Sequence, residues 1–105
     1  MEPISLILLA VGMFGGATVA GIVVIAYLTI TDVLSWFRAR RQRLSIEAVA
    51  ATVLQRMADG QYRTVQGVFN TRTKSWTESR TIDSERIDTA LAARHRYSDS
   101  VIYNI

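Results

Sequence analysis

The chain has 105 residues, half of them hydrophobic, and a formal net charge of +3 from twelve basic and nine acidic side chains. It contains no cysteine, which excludes disulfides, thiol chemistry and cysteine metal sites. The excess charge is local: residues 1–37 carry −2, residues 38–43 carry +4 and residues 44–105 carry +1, so no basic face remains for nucleic acid.

From Pro3 to Thr31 there is no charged side chain. About 20 apolar residues in a helix cross a bilayer core of about 30 Å. This run therefore predicts an uncleaved transmembrane helix over residues 4–30. A cleaved signal peptide fits less well. Met1-Glu2-Pro3 lacks a basic residue, and the apolar run continues well past the small residues Ala17 and Ala20. Arg38, Arg40, Arg41 and Arg43 follow the expected span, with Trp36 just before them at the expected membrane–water interface. The positive-inside rule then puts the N-terminus outside and the C-terminal part in the cytoplasm, and the arginines would also attract anionic lipid headgroups. Within the span, Gly12, Gly16 and Ala20 form one ridge of small residues, and Ala17 and Gly21 a second. Small residues let helices approach closely in lipid, which predicts a helix-packing surface.

Beyond the arginines, Ser45 is suited to cap a helix. Ile46, Val49, Ala50, Val53, Leu54 and Met57 recur at spacings of three and four. That period predicts an amphipathic helix over 46–58, closed by Gly60. The Thr-, Val- and aromatic-rich stretch that follows predicts strands over 62–70 and 75–82. "NTRTKS" between them reads as a hairpin loop: Asn70 is suited to start the turn, and Lys74 falls near a position where glycine is commoner. Gly67 within a strand implies a bulge or a close approach, with Trp76 the candidate to cover it. From Asp83 or Ser84 to about Arg96 the pattern is helical, with Glu85 and Asp88 early and Arg94 and Arg96 late. "SVIYNI" then reads as a third strand. The fold class expected is α+β: a transmembrane anchor with its arginine cluster (1–43), then a small helix–hairpin–helix–strand (αββαβ) cytoplasmic domain (44–105).

Little in the sequence points to catalysis. His95, the only histidine, lies between Arg94 and Arg96 at a helix end, and no further metal ligands stand at suitable spacing. Asp83, Glu85 and Asp88 are more simply dipole partners of a helix start than an acid–base pair. No nucleophile elbow or phosphate-binding loop is present, so no catalytic residue, metal or cofactor is expected. The leading expectation is a non-catalytic accessory subunit with a single membrane pass. It would dock through its glycine-rich helix face with other transmembrane subunits and membrane lipids. Two alternatives remain: a self-associating membrane-active protein of the holin or small-toxin type, which would be a homo-oligomer, and a membrane-tethered protein-binding domain.

Overall fold

The computed structural model describes residues 22–105. In chain order they form strand β1 (Ile22–Leu28), helix α1 (Ile30–Arg38), one 3₁₀ turn (Arg41–Arg43), strands β2 (Ala48–Arg56), β3 (Tyr62–Asn70) and β4 (Ser75–Ile87), helix α2 (Thr89–Arg94) and strand β5 (Ser100–Tyr103). The five strands make one sheet in the order β1-β4-β3-β2-β5. β1 runs parallel to β4, and every other neighbouring pair is antiparallel.

The expected transmembrane helix is corrected first. Its last third is strand β1, in register along β4 from Ile22 opposite Thr81 to Leu28 opposite Ile87. Five of the seven residues in "IVVIAYL" are β-branched or aromatic, types that fit a pleated surface beside a partner strand. A charge-free run reports composition, not period, and therefore does not separate an apolar strand from a span. Among the described residues no helix is long and apolar enough to cross a membrane. The single-pass membrane placement, with the N-terminus outside and a cytoplasmic C-terminal domain, is accordingly set aside. Gly12, Gly16, Ala17, Ala20 and Gly21, the expected helix-packing residues, lie outside the described residues.

The α+β, αββαβ expectation is also replaced, because half of the described residues are strand. Residues 46–58 do not form a helix. Most of that segment is β2, a central strand between β3 and β5 with Ala50, Ala51, Thr52 and Val53 all buried. A strand covered on both faces carries apolar residues at odd and even positions alike, and such a run also contains helical spacings. The segment expected as the second helix divides instead. β4 continues to Ile87 because β1 supplies a parallel partner to its end, and helix begins only at Thr89.

Asp88 makes that boundary. One carboxylate oxygen accepts from Leu91 N at 2.7 Å and caps α2, while the other accepts from Ile30 N at 2.9 Å at the start of α1. At the opposite end of β4, Asn70 Oδ1 accepts from the backbone of Arg72 and Thr73, and Lys74 takes a left-handed φ of 59°. Gly67 lies where a Cβ would collide with the Glu78 carbonyl oxygen and come within 2.8 Å of the Trp76 ring. The close approach read from the sequence is this one.

Strand alternation divides the core between the two sheet faces. On one face α1 and α2 pack over the strands, and Leu28, Val33, Phe37, Ala50, Ile82, Leu91 and Tyr103 form a single buried cluster. On the other face Ala51, Val53, Val65 and Phe69 cluster, with Val49 and Trp76 against them. Residues 22–38 thus share a core with residues from β2, β4, α2 and β5.

Candidate functional site: the β1 edge and its cleft

Among the described residues β1 is an outer strand of the sheet, and it carries no charged residue and no proline. Val24 is 75% exposed, Val23 44% and Tyr27 46%, so apolar surface flanks this edge on both sides of the sheet. The opposite outer strand, β5, has only four residues. Short edge strands and charged edges are the usual guards against unwanted pairing. β5 has the first device, whereas β1 has neither.

Beside β1, on the face that α1 covers, a cleft of about 480 Å³ opens between the helix and strands β1 and β4. Its apolar floor is Val23, Ile25 and Leu28 of β1 with Ile82 of β4. Asp32, Ser35 and Trp36 of α1 form one wall, and Arg80 of β4 reaches in from the end. Arg80 is held from behind. Gln66, fully buried in β3, donates its amide to the Val33 carbonyl oxygen at 2.7 Å, which leaves its Oε1 to accept from Arg80 Nε at 2.8 Å. No described residue hydrogen-bonds the terminal nitrogens of Arg80. Burial lowers the Arg80 pKa from its ordinary value, and the nearby Arg40 cation acts in the same direction, while Asp32 opposes both.

The Trp36 wall is fixed by charge. The Arg40 guanidinium lies 3.7 Å from the Trp36 ring centroid, and that of Arg80 lies 5.4 Å from it. Arg40 Nε donates to Glu78 at 2.9 Å and its Nη1 to the Trp36 carbonyl oxygen at 3.1 Å. Arg43 donates to the other Glu78 oxygen. The hydrogen bond from Arg40, aided by that from Arg43, holds the Glu78 carboxyl below the usual carboxylate range.

Two members of the arginine cluster, Arg40 and Arg43, thus turn onto the domain's own carboxylate. Arg38 is exposed in the last turn of α1, where a cation complements the helix dipole. Arg41 is exposed beside a second cavity of about 520 Å³, near Leu44, Ala48 and Tyr103. The sequence reading missed Asp32, Gln66, Glu78 and Arg80. Two signals were available: a lone polar residue inside the apolar stretch "VQGVF", and Glu78 and Arg80 two apart on one strand face.

The candidate acid–base groups are occupied. His95 Nδ1 donates to the Ser98 carbonyl oxygen at 3.1 Å, leaving Nε2 to accept from the Thr52 hydroxyl at 2.8 Å. Asp83 forms a two-pronged pair with Arg63, at 2.8 and 3.0 Å. Asp88 caps α2 and accepts the N–H of Ile30 at the start of α1, and Glu85 is an exposed side chain of β4. Among the described residues no group of three His, Asp or Glu is placed to hold a metal ion. No protein-family model, curated protein or solved structure matches the chain.

Proposed function

We propose that the protein is a non-catalytic assembly domain that joins a second copy of itself edge to edge along β1. The observation that carries this reading is the β1 edge itself: seven residues, uncharged, without proline, apolar on both sides and with no second neighbour strand among the described residues. The engagement of His95, Asp83 and Asp88 in structural hydrogen bonds supports the non-catalytic part. An antiparallel meeting of β1 with its own copy about a two-fold axis satisfies the outward N–H and C=O groups of both strands. It also brings no like charges opposite one another.

The absence of cysteine makes the test direct. Single cysteines are placed in turn at Val23, Val24, Ile25, Ala26 and Tyr27 of the full chain, and mild oxidation is followed by non-reducing electrophoresis. In a symmetric antiparallel pair only the position at the two-fold axis meets itself closely, so crosslinking should peak sharply at one site. Val24→Lys should shift the wild-type dimer toward monomer in light scattering while leaving the far-ultraviolet circular dichroism of the folded chain nearly unchanged, because Val24 is mostly exposed. Flat crosslinking across the strand, or a wild-type chain that stays monomeric at high concentration, would overturn the proposal.

A further inference from the structure

The cleft beside β1 has features that edge pairing does not require. Its charged group is set from behind by a fully buried glutamine, and its floor is apolar. Its volume of about 480 Å³ lies within the range of small-molecule sites, which are mostly apolar with a few placed polar groups. Two opposite charges line it, Arg80 from the sheet and Asp32 from α1.

We propose that this cleft binds a small zwitterion with an apolar body, of the α-amino acid class with a branched aliphatic or aromatic side chain. The ligand carboxylate meets the terminal nitrogens of Arg80, a fork that suits two carboxylate oxygens at once. Gln66 occupies Nε, so the guanidinium presents its outer edge and not its side. The ligand ammonium meets Asp32, one oxygen of which already accepts from Thr29 Oγ1 at 2.9 Å and is thereby oriented. The apolar side chain lies on Val23, Ile25, Leu28 and Ile82 with the Trp36 ring beside it. A plain anion would satisfy Arg80 but face the Asp32 carboxylate, and a plain cation would face Arg80. The pair of charges selects a ligand that carries both. The lowered pKa of Arg80 is consistent with a cation short of counter-charge.

The test is calorimetric titration of the full chain with L-leucine and L-phenylalanine, and with 4-methylpentanoate and 3-phenylpropanoate, which lack the ammonium. At least one amino acid should saturate one site per chain in the micromolar to low millimolar range, as bounds on binding per heavy atom allow for so small a molecule. Its des-amino analogue should bind at least several-fold more weakly. Arg80→Gln should weaken binding roughly ten- to hundredfold, the scale of losing a charged hydrogen-bond pair. Ser35→Phe, at an exposed helix position on the rim, should block binding without touching the Arg80–Gln66 bond, which guards against an Arg80 variant that misfolds. Saturation by neither amino acid would overturn the proposal, as would equal binding of the des-amino acids or retained affinity in both variants. Binding is read separately from crosslinking, so this inference and the edge-pairing proposal stand or fall independently.

Discussion

Asp88 shows how one side chain can hold several elements. Its two oxygens accept from backbone groups at the starts of α1 and α2, and its own N–H donates to the Leu28 carbonyl oxygen at 3.0 Å. An N-cap substitution to alanine costs typically about 1 kcal/mol. Asp88→Ala removes two such acceptors and should cost about 2 kcal/mol, with a fall in melting temperature on the order of 10 °C. Asp88→Asn keeps a single acceptor oxygen and should recover about half of that loss, because its NH₂ cannot accept the second N–H. Urea and thermal melts of the two variants beside wild type check this. Equal stability of Asp88→Ala and wild type would show that the helix starts are satisfied in another way.

At the scale of the element, α2 is fastened to the sheet by hydrogen bonds as well as by Leu91. The Tyr103 hydroxyl and Thr52 Oγ1 are 2.8 Å apart, Thr52 donates to His95 Nε2, and His95 ends α2. Burial lowers the His95 pKa below its ordinary value, with the Ser98 carbonyl and Asp99 opposing in part, and burial likewise raises the Tyr103 hydroxyl. A depressed histidine pKa means that the unfolded chain takes up the proton first. Stability is therefore full above the unfolded value of about 6.5, declines as pH falls from there through the folded value, and levels off below it. The carboxylates Glu78 and Asp83 are held below their usual range, so their contribution is lost only at more acidic pH. Urea melts between pH 5 and 7.5 should thus show a decline that His95→Gln removes. A decline of equal size in that variant would place its origin elsewhere.

Elements differed in how far the sequence disclosed them. β3 and the turn after it were legible because "YRTVQGVFN" has strand composition and Asn70 and Lys74 carry turn chemistry of their own. β2 reads as helical because burial on both faces erases the period of two and leaves spacings of three and four. The end of β4 is hidden because Glu85 and Asp88 resemble a helix start, and only the distant β1 explains why the strand goes on to Ile87. In the cleft, Trp36 stood out as an aromatic residue, but Arg80 and Asp32 come together only through the parallel pairing of β1 with β4 and the return of α1 over that pair.

For the molecule as a whole, the consequential fact is that residues 22–38 are part of the folded core. Leu28, Val33 and Phe37 have essentially no exposure and cluster with Ala50, Ile82, Leu91 and Tyr103. Phe37 lies 5.3 Å from the Tyr103 ring, and the Val33 carbonyl oxygen accepts the bond that orients Gln66. Fully burying one such apolar side chain contributes about 1.5–3 kcal/mol, so these three alone contribute on the order of 6 kcal/mol. Domains of this size are stable by about 5–15 kcal/mol in total. Removing β1 and α1 would also leave β4 without its parallel partner and uncover the apolar side chains of the sheet face that α1 packs against. A fragment spanning residues 45–105 should therefore lack a cooperative thermal transition and exchange its β4 amides quickly, whereas residues 22–105 should melt cooperatively. A fragment 45–105 with a sharp melt near that of the longer piece would mean that the α1 face of the sheet is stable uncovered, and that the arginine cluster marks a true domain boundary.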